Sequence, residues 1–591
     1  MPRFAPLKRI LNRTLGYVSL LLPALQMCQF DVRNFDIAPR VWAKLLRNGA
    51  RLSWPRAGNE GKPTCDHARL CLRTHKELVL TKFRLGCVLS CLGPFALSAL
   101  LAACAQQPLS GGIAVSAREA ALPDRVAALL TQAKLPQDAL GVMVLRASDG
   151  ATVFAHRASA PMQPASTLKT LTSIVALERL GPSYRGKTEL RSAGEVKAGI
   201  WTGDVVLRGL GDPDFDWHAL QGMLQTLRFS GVRVIAGDLI LDRSYFQPSR
   251  PDAGMPPFDE SPEFRYNVIP DALLLNSNLM QLELVSDGVD LRIGVTPALD
   301  RVSFDSEMQI VDKPCADWED FWKLPDVKKA DDGRIRVTLK GEFPRNCPVT
   351  TQISVLDRVD FADRLFRALW TSVGGAWTGV ARDAVGAADG AGGADMRVLA
   401  THQSRTLAEF NRDILKRSDN PITRLMFLTL GAESKVAGGA PAATSARSEQ
   451  VVRQWLQEKK INDAGLVLDN GSGLSRAERI SPATLAAVLR AAKDSRWAPE
   501  FLSGMPIAGV DGGMRRRLAD GAAAGVARIK TGGLRNVVSV AGYAPDVNGE
   551  LCVVVAILNH DDAKSAVGKP IVDAVLEWVT RVDSRAALPA K

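Results

Sequence analysis

The chain has 591 residues, of which 46% are hydrophobic and 23% are charged. This length is too great for one compact domain of roughly 100–200 residues, and it predicts three or four domains. The composition is that of an ordinary globular protein. It excludes a mainly disordered, collagen-like or coiled-coil chain.

The formal net charge of +11 arises entirely from the N-terminal segment. Residues 1–104 hold 16 Lys and Arg against 5 Asp and Glu, so the rest of the chain has no net charge. A nucleic-acid-binding body would carry a basic surface of its own. Nucleic acid is therefore not an expected partner.

The first hundred residues resemble targeting sequence rather than a domain. We expect residues 1–80 to be an extension from a start assigned too early. Residues 81–105 have the pattern of a signal peptide, because two basic residues precede an uncharged stretch that ends in small residues. The Leu-Ala-Ala-Cys sequence ending at Cys104 also resembles a lipobox, which makes Cys104 a lipidation candidate. Simple cleavage at this point and an uncleaved transmembrane helix are the alternatives.

Export would place the mature chain in the bacterial periplasm, with membrane contact only through the signal or through a lipid anchor in the outer membrane. In this oxidising compartment, Cys315 and Cys347 are a candidate disulfide. Cys552 lies within an apolar run and is predicted to be a buried thiol in a strand.

The body of the chain begins and ends with a mixture of helices and strands. Residues 106–190 are predicted to form the first part of an α/β domain. Its elements are a helix over Val126–Ala133, strands over Gly141–Leu145 and Ala151–Ala155, and a buried helix over Ser166–Leu180.

Residues 191–390 contain short runs of β-forming residues between turns and predict a β-rich insertion of one or two modules. Residues 391–591 return to the α/β pattern as the second part of the same domain. The elements predicted there are helices over Thr406–Lys416, Asn420–Gly431 and Ser448–Glu458, strands over Val526–Thr531, Val537–Tyr543 and Leu551–Leu558, and a helix over Lys564–Val582.

Several common kinds of site are excluded. Residues 181–188 match the phosphate-binding G-x-x-x-x-G-K-[ST] pattern, but they follow a predicted helix and precede an extended segment, the reverse of the required order. Cys315 and Cys347 have no other Cys or His at ligand spacing, and we expect no metal and no cofactor. A Ser-His-Asp site is not expected, since there is no G-x-S-x-G sequence.

Ser166 and Lys169 form an S-x-x-K sequence at a predicted helix start. Three residues along a helix is about one turn, so the Lys169 ammonium can lie beside the Ser166 hydroxyl. A serine nucleophile needs an adjacent base, and a lysine can serve when burial or nearby positive charge lowers its pKa. A single match of this kind is more often an ordinary solvated pair on a helix.

Two further motifs follow in order: Ser418 and Asn420 in S-D-N, and Lys530, Thr531 and Gly532 in K-T-G. Alone, the first is more often a helix cap and the second a turn. Together with S-x-x-K they form the set found in penicillin-binding proteins and serine β-lactamases. In such a site Ser418 relays a proton to the leaving amine and Asn420 hydrogen-bonds a substrate amide. Lys530 and Thr531 hold a substrate carboxylate, and Gly532 keeps the strand edge open.

From about residue 140 to 558 the sequence resembles the class C low-molecular-mass penicillin-binding proteins. These are D-alanyl-D-alanine carboxypeptidases/endopeptidases of the penicillin-binding protein 4 type. Asp469–Arg476 matches the family, as does the long interval between Ser166 and Ser418, which is much shorter in β-lactamases. The resemblance implies an α/β fold: a serine β-lactamase/DD-peptidase-like transpeptidase domain, with an antiparallel sheet flanked by helices and a large β-rich insertion.

The resemblance also implies an exported serine DD-peptidase in which Ser166 attacks the D-Ala-D-Ala carbonyl and Lys169 is the base. Its partners would be peptidoglycan stem peptides, and β-lactams would be covalent inhibitors. A serine β-lactamase is one alternative, although no E-x-x-L-N follows Ser418 to supply a deacylating Glu. A catalytically silent peptidoglycan-binding scaffold is another, although the catalytic residues are intact.

Asp212 and Arg476 are candidate specificity residues within this resemblance. A diaminopimelate branch carries an amine and a carboxylate, and we hypothesise that Asp212 receives the amine and Arg476 the carboxylate. The alternative is that Asp212 only starts a turn before Pro213 and that Arg476 is a solvated loop charge.

Overall fold

The computed structural model describes residues 121–385, 396–434 and 443–586. The expected N-terminal extension, the export signal and Cys104 lie outside the described residues. No helix in the described ranges is long and apolar enough to cross a membrane.

The central element is an antiparallel five-stranded sheet, here called the catalytic sheet. It combines two early strands with three late ones, as the strand pattern predicts. In spatial order its strands are Arg528–Leu534, Val537–Pro545, Leu551–Asn559, Leu140–Arg146 and Thr152–His156. The chain therefore closes this sheet by pairing Leu140–Arg146 with Leu551–Asn559, more than 400 residues later.

Alternating residues of the catalytic sheet enter two hydrophobic cores, because successive side chains of a strand point to opposite faces. Val142 and Val144 pack into the core beneath helices Asp124–Gln132 and Ser565–Val579. Met143 and Leu145 pack into the opposite core. The helices of that second face are Lys169–Leu180, Leu407–Lys416, Asn420–Ala432, Thr444–Glu458, Pro482–Lys493 and Ala498–Gly504.

The insertion contains a second five-stranded sheet, here called the inserted sheet. Its strands are Ala381–Asp383, Leu239–Asp242, Val205–Leu210, Lys187–Ser192 and Arg397–Gln403. The last two pair with each other, so this sheet extends beyond the boundaries expected at residues 190 and 391. Its core is shared with two helices that the β-rich pattern did not predict, Trp217–Phe229 and Arg358–Ser372. Each begins at an aspartate whose carboxylate caps the helix, which is the local signal for them.

Three smaller sheets complete the insertion. A three-stranded sheet and a four-stranded sheet share a separate small core. The three-stranded sheet consists of Leu291–Thr296, Met280–Ser286 and Pro348–Ile353. The four-stranded sheet consists of Val302–Ser306, Ile335–Pro344, Gln309–Val311 and Trp322–Lys329. The short sheet is formed by Ala376–Trp377, Val234–Ile235, Ile200–Thr202 and Glu195–Lys197.

The structure describes three cysteines, two in a disulfide and one free. Cys315 and Cys347 form a disulfide with their Cα atoms 5.4 Å apart, and it lies against the small core. Cys552 is a free thiol, fully buried in the central strand of the catalytic sheet.

Candidate active site

Ser166 lies where a short turn leads into the helix Lys169–Leu180. Residues 165–168 form one turn of 3₁₀ helix, and Ala165 has a left-handed backbone with φ of 46°. A non-glycine residue in this region is strained, and such strain persists only where the surrounding structure fixes it. The Ser166 side chain is half-buried, while its neighbours Ala165 and Thr167 are buried. Ser166 is thus held at a rigid bend with access to its hydroxyl.

Lys169 is fully buried and lies one turn from Ser166, as the motif predicts. Its Nζ donates to Ser166 Oγ at 3.0 Å, to Asn420 Oδ1 at 2.6 Å and to the Ser472 carbonyl at 2.6 Å. Burial is the main cause that lowers the pKa of Lys169 to about 7. Near neutral pH a large fraction of this amine is therefore unprotonated, as a general base for Ser166 requires.

Ser418 and Lys530 form a second serine–lysine pair at the same site. Lys530 is buried, and its Nζ donates to Ser418 Oγ at 2.9 Å and to the Thr531 carbonyl at 2.7 Å. Burial, and then the positive charge of Lys169, hold the pKa of Lys530 well below its usual value. Ser418 has a left-handed backbone with φ of 59°, a second strained position at the site.

Asp419, between Ser418 and Asn420, is the N-cap of the helix that follows. Asp419, rather than Ser418, caps the helix Asn420–Ala432 by accepting a hydrogen bond from the Ile422 amide at 2.8 Å. The Ser418 hydroxyl is therefore free of the capping role and faces Lys530. Asn420 uses its Oδ1 for Lys169 and donates through Nδ2 to the Tyr266 carbonyl at 3.1 Å.

Gly532 lies where the edge strand of the catalytic sheet passes Ser166. A Cβ atom at this position would lie 2.8 Å from the Pro164 carbonyl and 3.0 Å from the Ser166 amide nitrogen. Only glycine lets the strand approach so closely. Thr531 is half-buried and Gly533 is exposed on the same edge. The third motif therefore lies directly beside Ser166.

Glu478 is a buried carboxylate that the sequence reasoning missed. It accepts hydrogen bonds from four backbone amides, which shape the loop that supplies the Ser472 carbonyl to Lys169. These donors are the amides of Asp469 at 3.3 Å, Asn470 at 3.0 Å, Gly471 at 2.7 Å and Gly473 at 2.9 Å. The sequence offered one signal for this role. A single acidic residue follows a glycine-rich loop, and the backbone amides of such a loop need acceptors when they are buried.

Asp212 does not reach the site, which corrects its expected role. It is fully buried, with its Oδ2 2.7 Å from Nδ1 of His402 and its Oδ1 accepting from the Asp214 amide at 3.0 Å. Burial raises the pKa of this carboxyl, and no face of it is left for an incoming amine. The turn interpretation fits Asp212 better.

Arg476 lies at the rim of a cavity that is bordered by the loop that Glu478 shapes. Its side chain is exposed, and its guanidinium carbon is 5.1 Å from the ring centre of Phe258. The cavity has a volume of about 560 Å³ and includes Asn470 and Ser475 from the loop that Glu478 shapes. Among the described residues, no group of three or more His, Cys, Asp or Glu side chains is placed to hold a metal ion.

A half-buried serine beside a buried lysine, a second serine–lysine pair and an open strand edge together define a serine acyl-transfer site. The model of the D-Ala-D-Ala carboxypeptidase 3 (S13) family matches residues 122–582, and the chain belongs to this family. This confirms the predicted function: the protein is a serine-type D-Ala-D-Ala carboxypeptidase, a hydrolase.

Individual relatives agree with this assignment. A D-alanyl-D-alanine carboxypeptidase of Actinomadura sp. (strain R39) is 28% identical over 471 residues, covering 76% of this chain and 82% of the relative. D-alanyl-D-alanine carboxypeptidase DacB of Haemophilus influenzae is 27% identical and is covered to 87%. The crystal structure of penicillin binding protein 4 from H. influenzae matches with a TM-score of 0.64 and 25% identity, covering 78% of this chain and 100% of that one. The predicted fold class is thereby confirmed.

Proposed function

We propose that the enzyme hydrolyses the D-Ala-D-Ala ends of peptidoglycan stem peptides through an acyl-enzyme on Ser166. The observation that carries this proposal is the pairing of two serines with two buried lysines, Ser166 with Lys169 at 3.0 Å and Ser418 with Lys530 at 2.9 Å. One pair can activate the nucleophile, and the other can deliver a proton to the leaving group.

In the acylation step the Ser166 hydroxyl proton passes to Lys169 while Oγ bonds to the carbonyl carbon. The developing oxyanion is stabilised by backbone N–H groups, for which Ser166 and Gly533 are the candidates because the strand edge passes the nucleophile there. The C–N bond then breaks, and the leaving D-alanine takes a proton through Ser418. Water subsequently hydrolyses the acyl ester and releases the shortened peptide.

The substrate is held along the edge strand. Thr531 and Lys530 supply a hydroxyl and a cation for the terminal carboxylate, and Gly532 leaves room for the peptide backbone. Asn420 is positioned by Lys169 and Tyr266 to meet a substrate amide. Arg476 at the cavity rim is the candidate for the carboxylate of a diaminopimelate branch.

The same geometry supports acylation of Ser166 by β-lactams, whose ring amide replaces the D-Ala-D-Ala bond. The similar H. influenzae structure bears the name penicillin binding protein 4. The disulfide Cys315–Cys347 supports a location outside the cytoplasm, and we place the enzyme in the periplasm, free or lipid-anchored at Cys104.

The experiment that tests this proposal is labelling with a fluorescent penicillin, followed by digestion of purified muropeptides. Ser166→Ala should abolish covalent labelling and D-alanine release while the melting temperature stays near that of the parent protein. Pentapeptide monomers and cross-linked dimers, digested side by side, separate carboxypeptidase from endopeptidase activity. Labelling of the Ser166→Ala variant at full stoichiometry would place the nucleophile elsewhere.

A further inference from the structure

The cavity beside the loop that Glu478 shapes (residues 469–476, here called the catalytic loop) contains a second arginine that the proposed catalytic steps do not use. Arg424 lies one helical turn beyond Asn420 and lines the same cavity as Arg476. It is half-buried, and its Nη1 donates a long hydrogen bond to the Val268 carbonyl at 3.4 Å. Among the residues that the structure describes, no carboxylate lies within ion-pair distance of its guanidinium.

Most other charges that line this cavity are already matched. Arg358 pairs with Asp252 and Asp271, and Asp357 pairs with Arg250. The lining charges outside such pairs, within the described part of the chain, are Arg424, Arg476 and Asp469. The cavity therefore presents two guanidinium groups against one carboxylate.

Arg424 occupies the inner part of the cavity, whereas Arg476 is at its exposed rim. Burial lowers the pKa of the Arg424 guanidinium to about 10, so it remains charged at neutral pH but lacks the full solvation of a surface arginine. Asp469 and the buried Glu478 are the negative charges that act on this guanidinium, but neither forms an ion pair with it. A carboxylate from a ligand would supply a direct bidentate partner.

We propose that Arg424 is a specificity-determining residue that binds a carboxylate of the acyl-donor peptide inside this cavity. It would thereby select stem peptides with free carboxylates over amidated ones. This inference rests on the proposed function, since it assumes that the donor peptide enters beside Asn420 and the catalytic loop. Two carboxylates of a stem peptide share the required chemistry: the side-chain carboxylate of the diamino acid and the α-carboxylate of the γ-linked glutamate.

The test compares three synthetic pentapeptides: one with both carboxylates free, one amidated at the diamino acid and one amidated at the glutamate. For the parent enzyme, kcat/KM for the free acid should exceed that for one of the amides by on the order of tenfold or more. In Arg424→Gln this preference should fall to within about twofold of unity. The amide that loses its disadvantage identifies the carboxylate bound by Arg424.

The ratio of two peptides on one enzyme is the required readout, because the positive charge of Arg424 also lowers the pKa of Lys169. An altered base changes both rates equally and leaves the ratio unchanged. Arg424→Lys, which keeps the charge, should retain most of the preference, and it serves as the second variant if Arg424→Gln does not fold. Arg496→Gln, an exposed arginine that stacks on Trp497, is the matched control and should behave as the parent.

The failure of this inference differs from the failure of the proposed function. If the parent enzyme releases D-alanine equally well from all three peptides, or if Arg424→Gln keeps the full preference against both amides, the role of Arg424 is refuted while the carboxypeptidase function stands. If the parent releases D-alanine from none of them and is not acylated by penicillin, the proposed function itself is wrong.

Discussion

Arg265 donates two hydrogen bonds to one carboxylate oxygen of Asp419, from Nε at 3.0 Å and from Nη2 at 2.8 Å. Asp419 belongs to the second catalytic motif and caps the helix that starts with Asn420, whereas Arg265 belongs to the insertion. The next residue, Tyr266, accepts a hydrogen bond from Asn420. The insertion therefore helps to hold the second motif in place.

Arg265→Ala should slow acylation as well as destabilise the fold. It leaves the buried Asp419 side chain, only 7% exposed, without its cationic partner, which should cost about 2 kcal/mol of stability. Because Ser418 and Asn420 flank this residue, the second-order rate constant for penicillin acylation should also fall several-fold. Arg412→Ala, at an exposed arginine on the neighbouring helix, is the control. Parent-like rate and melting temperature in Arg265→Ala would show that the pair is dispensable.

The acylation rate should depend on pH through Lys169. Only the neutral amine can accept the Ser166 proton, and the pKa of Lys169 is lowered to about 7. The rate constant should therefore rise about tenfold per pH unit on the acid side and level off above neutrality. Stopped-flow acylation with a chromogenic cephalosporin measures this profile. A profile that stays flat well below pH 7 would mean that Lys169 is not the base.

Glu478→Gln tests the buried carboxylate that shapes the catalytic loop. An amide cannot accept from all four backbone N–H groups, so the free energy of unfolding should fall by about 1–3 kcal/mol. The negative charge of Glu478 also raises the pKa of Lys169, so its removal should move the acid limb of the acylation profile to lower pH. Glu449→Gln, at a partly exposed helix position where Glu449 pairs with Arg453, should change stability by less than about 0.5 kcal/mol. A shift of the limb to higher pH would contradict the assigned electrostatics.

Turnover of β-lactams should be slow compared with acylation. In the described ranges, the hydrogen bonds of Lys169 that organise Ser166 involve a hydroxyl, an amide and a backbone carbonyl, and none involves a carboxylate. Glu478 is occupied by backbone amides and cannot activate a water at the ester. Intact-protein mass spectrometry should show one stable penicilloyl adduct. Rapid multiple turnover of a penicillin would favour the β-lactamase alternative.

Arg476→Ala should affect peptide recognition and leave the chemistry alone. Its guanidinium stands over Phe258 at the cavity rim and makes no hydrogen bond to Ser166, Lys169, Ser418 or Lys530, all of which lie in the described ranges. For a peptide with a diaminopimelate carboxylate, kcat/KM should fall by on the order of tenfold, about 1.4 kcal/mol. Acylation by a simple penicillin should remain near the parent value. Equal losses on both ligands would assign Arg476 to the fold.

The sequence predicted the parts of the site that depend on short-range patterns. Ser166 and Lys169 are one helical turn apart, and Lys530 to Gly532 lie on a strand, so spacing alone places each set correctly. Their mutual approach could be inferred only from the resemblance, because it depends on how strands far apart in the chain pair in one sheet.

The contacts that support the site were not predictable in the same way. Arg265 and Asp419 are 154 positions apart in the chain. Glu478 accepts hydrogen bonds from backbone amides, which every residue type except proline has, so no residue pattern predicts these contacts. Asp212 failed as a specificity candidate because a polar residue before a proline in a turn can be buried, here against His402, as readily as exposed. The two helices of the insertion were missed because short strand-like runs around them dominated the pattern.

The closure of the catalytic sheet by strands from opposite ends of the domain determines when the enzyme can become active. Ser166 and Lys169 precede Lys530 and the central strand Leu551–Asn559 in the chain, so they leave the ribosome first. A nascent or C-terminally truncated chain would lack both the second lysine and the strand that supports Leu140–Arg146. Carboxypeptidase activity should therefore arise only after the whole domain has been made and folded.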